Sequence, residues 1–145
     1  MTAAELDAAH VVAVVPASIA VPGFDRIVEL EPGIRAVAIR NIPGTLPLFA
    51  DHFPRYPIMP GVLLLESMIA LAARASGTGE WRLCTATAVR FRRFVVPGDQ
   101  VVFATDAAGP AAGLWRGTAT VDGRVVASVR ALRLARISPV ETSAP

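Results

Sequence analysis

The stretch HFPRYPIMPGVLLLESM, His52 to Met68, sets a histidine and a glutamate fourteen positions apart. An imidazole with an ordinary pKa near ~6.5 exchanges protons near neutrality, and a carboxyl group is its common partner in acid–base chemistry. The only other histidine, His10, lies in a weakly patterned, alanine-rich start. Glu66 follows Val62 by four residues and precedes Ile69 by three and Ala70 by four, so a helix here carries it on an apolar stripe. A carboxylate in that setting is costly unless it is paired, hydrogen-bonded or protonated. It is therefore either a buried group satisfied by backbone donors or an arginine, or an acid held for chemistry. Pro60 and Gly61 stand between the two residues, where a helix would begin. A helix start offers free N–H groups and a partial positive charge, and glycine lets a ligand approach them closely. Base, acid and an amide able to stabilise an oxyanion thus fall within one short stretch.

Certain elements must position these groups. Pro43, Pro47, Pro54, Pro57 and Pro60 mark residues 43–60 as loop, stiff and short of donors. So long a structureless stretch in a compact domain is usually functional. GVLLLESMIALAARASG predicts a helix over 61–76, opened behind Pro60 and stopped by Gly77; it is apolar nearly all round, which predicts a buried helix. Before the loop, FDRIVELEPG (Phe24 to Gly33) reads as a strand closed by a Pro-Gly turn, with IRAVAIRNI as its hairpin partner. From residue 81 onward the signals are β: RLCTATAVRFRRFVV up to the Pro97-Gly98-Asp99 turn, QVVFATDAAG, GLWRGTATV, an Asp122-Gly123 turn, and RVVASVRALRLARI. Two strands, a loop, one buried helix and three or four antiparallel strands make an α+β plan, a sheet wrapped around a central helix. One domain over 1–145 accommodates it, with 1–23 and 138–145 as peripheral segments.

Composition narrows the function. Of the 145 residues 53% are hydrophobic and 18% charged, too apolar for disorder and rich for a monomer, which predicts a face covered by a second subunit. All fourteen basic residues are arginine, yet the net charge is only +2 and no basic run exceeds Arg90-Phe91-Arg92-Arg93. No broad nucleic-acid face is expected from that, whereas an acidic protein could meet a local arginine cluster. Cys84 is the only cysteine, so no internal disulfide and no Cys/His metal site is expected. The apolar run from Pro57 to Ala73 is broken by Pro60 and Glu66, a poor membrane span, and Glu5 and Asp7 replace the basic start of a signal peptide. A cytoplasmic protein, neither membrane-bound nor secreted, is the expectation.

The stretch from His52 also resembles the signature of the 3-hydroxyacyl-[acyl-carrier-protein] dehydratases, the FabZ/FabA group: His-Phe-Pro-x-x-Pro-x-Met-Pro-Gly, an apolar turn, then an acid. His52, Phe53, Pro54, Pro57, Met59, Pro60, Gly61 and Glu66 match it, and glutamate as the acid is similar to the FabZ type. FDRIVELEPG, VRFRRFVVPGDQV and GTATVDGRVVASVRALR resemble other segments of that family. The resemblance implies the hotdog architecture and loss of water from a (3R)-hydroxyacyl thioester on acyl carrier protein, in fatty-acid or polyketide biosynthesis. It assigns His52 as base for the C2 proton, Glu66 as acid for the departing hydroxyl and the Gly61 amide as oxyanion donor, with no metal or cofactor. It further implies that the two side chains of one site come from different subunits of a homodimer or a trimer of dimers. An acyl tunnel would run by Phe53, Val62, Leu65 and Ile69, and Arg55, Arg90, Arg92 and Arg93 are the expected docking residues for the acidic carrier. Asp51, Arg55 and Ala70 stand where that family has glycine, a small residue and glutamine, and VPASIAVPGFDR lacks its Pro-His-Arg. These departures suggest a specialised member. Two alternatives stand beside it: a hotdog acyl thioesterase, and a non-catalytic partner subunit of a heterodimeric dehydratase.

Overall fold

A computed structural model describes residues 24–46 and 57–138. The chain forms β1 (Arg26–Glu31), β2 (Arg35–Asn41), α1 (Gly61–Ala75), β3 (Glu80–Phe91), β4 (Gln100–Ala107), β5 (Leu114–Val121) and β6 (Arg124–Ile137). The strands make one sheet in the order β1-β2-β4-β5-β6-β3, every neighbouring pair antiparallel. Among the described residues one helix lies against this sheet, so the α+β plan expected from the pattern and the hotdog architecture implied by the resemblance are what is found. The peripheral segment 1–23, and all but Ser138 of the 138–145 tail, lie outside the described residues.

Small residues on the sheet let the helix approach. Ala36 and Ala38 on β2, Ala119 on β5 and Ala127 on β6 are all fully buried. A Cβ added at Gly117 on β5 would stand 2.9 Å from the Val129 side chain and 3.1 Å from the Met68 sulfur, so glycine there is a packing requirement. Into this shallow face α1 sets Leu64, Met68, Leu71 and Ala72, against Phe103 and Trp115. The helix's C-terminal end is tied down by polar contacts. The Ala75 carbonyl accepts from Gly33 N–H in the β1–β2 turn at 2.7 Å, where Gly33 adopts φ +77°. Ser76 Oγ accepts from Trp115 Nε1 at 2.7 Å and donates to the Ala72 carbonyl. Such bonds satisfy carbonyl and indole groups that burial would otherwise leave unpaired.

Two expectations need correction. The strand predicted to run to the Pro97-Gly98-Asp99 turn ends at Phe91. Beyond it the Arg92 and Arg93 amides share the Val126 carbonyl, and the Val95 carbonyl accepts from Met59 N–H at 2.7 Å, so this segment leaves the ladder to hold the chain entering α1. Nor is the helix buried on all sides. Leu64, Met68, Leu71 and Ala75 face the sheet, while Val62 is 57% exposed and Leu63, Glu66, Ala70 and Ala73 are half-buried. A single sheet covers only one side of a helix, and the rest of the apolar circumference is left facing outward.

Candidate active site at the start of the helix

Gly61 is the first residue of α1, behind Pro60 at φ −58° and ψ 134°, an extended geometry that proline adopts without strain. No side chain caps this end; Leu63 N–H turns back to the Pro60 carbonyl at 3.0 Å. The Gly61 and Val62 amides make no such bond among the described residues. They are the free donors expected of a helix start, and with the peptide dipoles behind them they favour negative charge. The ring of Phe91, at the end of β3, closes on Gly61: an added Cβ would lie 2.8 Å from two ring atoms. The glycine is thus required by contact, since its φ is not among the positive ones.

Glu66 stands one and a half turns along the same helix, on the side turned from the sheet. The residue is half-buried, and its Oε2 is shut from solvent without a hydrogen-bond partner among the described residues. Neither satisfying arrangement allowed by the sequence, backbone donors or an arginine, reaches that oxygen. Ala70, one turn further on, has no polar group to offer. The cost of an orphaned carboxyl oxygen, about 1–3 kcal/mol, has no structural return among the described residues.

The other predicted site residues divide. Leu65 and Ile69 are each 7% exposed and belong to the core cluster, whereas Val62 is exposed beside the helix start. Arg90 is half-buried on β3; Arg92 and Arg93 are exposed just past its end. His52, Phe53, Arg55 and Asp51 lie outside the described residues. Arg40, which no motif singled out, is 4% exposed, with Nη1 buried and unbonded among the described residues. Burial lowers the pKa of its guanidinium, and Asp25 acts in the opposite direction. No group of three histidine, cysteine or acidic side chains is placed for a metal among the described residues, and none of their helices is long and apolar enough to cross a membrane.

Residues 30–128 match the family model described as ApeI-like, ApeI dehydratase. A 3-hydroxyacyl-[acyl-carrier-protein] dehydratase FabZ of Granulibacter bethesdensis is 39% identical over 128 residues, 81% of this chain and 75% of the relative. The FabZ of a Geobacillus species is 39% identical over 130 residues, 83% of this chain and 89% of its own. Among solved structures, the dehydratase heterocomplex ApeI:P from Xenorhabdus doucetiae superposes with a TM-score of 0.62 at 21% identity, over 77% of this chain and 97% of that one, a likeness of fold. By model and by relatives alike, the chain belongs to the hotdog dehydratases, in the ApeI-like dehydratase family with FabZ enzymes among its kin.

Proposed function

We propose that this protein removes water from (3R)-3-hydroxyacyl thioesters on acyl carrier protein, leaving trans-2-enoyl thioesters, as its FabZ-named relatives imply. The observation that carries this reading is Glu66, a half-buried carboxyl group with an orphaned oxygen, on the helix whose free amides begin at Gly61. In the reaction His52 takes the C2 proton, and the electron pair of that C–H bond forms the C2=C3 double bond. The C3–O bond breaks as Glu66 gives its proton to the departing hydroxyl, which leaves as water. Charge that gathers on the thioester oxygen meets the Gly61 N–H, a donor already fixed by the helix. Each proton transfer contributes roughly 10²–10⁴-fold.

The site is shared between two copies. β3 is a twelve-residue edge strand, bonded only to β6 among the described residues, and an open edge of that length calls for a cover. In this reading a second copy against it also covers the outward side of α1 around Val62 and Ala73, and His52 of one copy serves Glu66 of the other.

Mass spectrometry of a 3-hydroxyacyl-carrier-protein panel tests the reading. Loss of one water with the wild type, abolished in His52→Ala and Glu66→Gln, is the expected result. Release of free acid makes the protein a thioesterase instead. A second reading draws on Ala70, which leaves Glu66 Oε2 without the amide partner that glutamine would supply. Here the chain is one subunit of a heterodimeric dehydratase, inactive alone and active once mixed with a related subunit.

A further inference from the structure

Two charged side chains, Arg40 and Glu66, keep a buried atom without a partner among the described residues. Glu66 belongs to the site already described; Arg40 does not. It enters none of the ion pairs among the described residues. The carboxylates at its end of the sheet are engaged elsewhere. Asp25 Oδ2 accepts from the Asn41 backbone and side-chain amides at 2.7 and 2.9 Å, and Asp99 Oδ2 accepts from Val96 N–H at 2.9 Å. Burial lowers the guanidinium pKa, yet an arginine stays charged inside a protein. A buried charge left without a bonded counter-ion is costly and calls for a use.

Its place in the fold supplies one. β2 keeps an unbroken register with β4 from Arg35 to Asn41, so Arg40 shares a face with Ala36 and Ala38, both in the core under α1, and with its ladder partner Val101. The turn before β2 is tied to the last residue of α1 by the bond from Gly33 N–H to the Ala75 carbonyl, and β2 runs from there toward the opposite end. Seven strand residues and fifteen helical ones each cover roughly 20 Å, which brings Arg40 level with the start of α1. One short segment bridges the two. Gly98 N–H donates to the Ile42 carbonyl at 2.8 Å, two residues past Arg40, and the Val95 carbonyl accepts from Met59 N–H, two residues before Gly61. The positive end of the helix and a buried guanidinium therefore lie at one end of the core, and no described side chain caps the helix there.

We propose that Arg40 is a positioning residue of the dehydration site: its unneutralised charge acts through the Gly61 amide and strengthens the hold of the helix start on the thioester oxygen as negative charge gathers there. The inference rests on the dehydratase reading for the reaction it serves. Acting through space, Arg40 needs no contact with the substrate; it adds to the field at a donor that the helix already fixes. A unit charge roughly 10 Å from a developing one changes a rate by about tenfold at the effective dielectric of a protein. Because that charge develops in the transition state, the effect falls on kcat, while KM stays within about twofold.

The test replaces Arg40 by methionine, which keeps the length and drops the charge, and by lysine, which keeps the charge. With a 3-hydroxyacyl thioester, kcat falls about tenfold in R40M at little change in KM, and R40K holds most of the wild-type rate. A second readout needs no turnover: the carbonyl stretch of a saturated acyl-pantetheine thioester, isotope-labelled at its carbonyl and bound to the protein. A weaker positive field at the oxygen moves that band to higher wavenumber in R40M, while R40K leaves it at the wild-type position. The control R130M removes one exposed β6 charge and leaves both kcat and the band unchanged. An unmoved band in R40M, a loss of kcat shared by R40K, or an equal change in R130M overturns the proposal. So does failure of both R40M and Arg40→Gln to fold, since Arg40 then serves the structure alone. Should the wild type turn over no 3-hydroxyacyl thioester, the dehydratase reading falls, and the carbonyl band decides the role of Arg40 alone. A band that shifts in R40M and not in R40K sustains it; an unmoved band, or no bound thioester at all, ends it.

Discussion

In the proposed reaction Glu66 trades stability for chemistry. Its Oε2 is buried without a partner among the described residues, so an apolar side chain of similar length relieves a penalty at that oxygen. Glu66→Met is therefore expected to raise the stability of the protein by about 1 kcal/mol while abolishing dehydration, read by denaturant unfolding and by product mass. A residue kept only for structure would lower stability when replaced. This position was legible in the sequence because a lone acid stood out against Val62, Ile69 and Ala70. Arg40 was not: one arginine of fourteen, in a strand whose alternation allows either face, carries no mark of burial. The side of the sheet it occupies is decided by β4, whose Val101 pairs with it across the ladder.

At the scale of elements, the helix start is set by the end of a strand. Phe91 closes on Gly61, so Gly61→Ala must push either the ring or the first helical turn. Overpacking of this kind costs about 1–3 kcal/mol, and displacement of the proposed oxyanion donor lowers kcat by about tenfold or more. Unfolding and turnover of the same variant check both. Helix, hairpin and turns were readable from their period and punctuation. The end of β3 was not, because Phe94, Val95 and Val96 continue a β-rich composition past the point where the chain departs. What ends the strand is a tertiary choice, the Arg92 and Arg93 amides sharing the Val126 carbonyl while Val95 turns to Met59. Composition within the segment holds no trace of those partners.

For the whole molecule, the shared site makes a prediction that no single variant can. If His52 and Glu66 act across an interface, His52→Ala and Glu66→Gln are each inactive, yet a refolded equal mixture regains about a quarter of wild-type activity, since half the dimers are mixed and each holds one intact site. Assay of the mixture against each parent checks it; activity that stays at the parents' level places both groups in one chain. The proposed oligomer draws on an apolar content of 53%, which the sequence shows directly. Strand order was not, because placing β4 between β2 and β5 and sending β3 to the far edge follows from packing around α1.

That strand order also sets a clock during synthesis. α1 packs on β4, β5 and β6, all made after it, and the hairpin of β1 and β2 is the only part of the sheet already waiting. From Gly61 to Ile137 the ribosome needs roughly 4–15 s at ordinary elongation rates. For that interval this apolar helix emerges with most of its cover still unmade. Slowed translation of the β3–β6 region lengthens the exposure, so recovery of soluble protein depends on the pace of the second half of the message and on chaperones able to shield one helix.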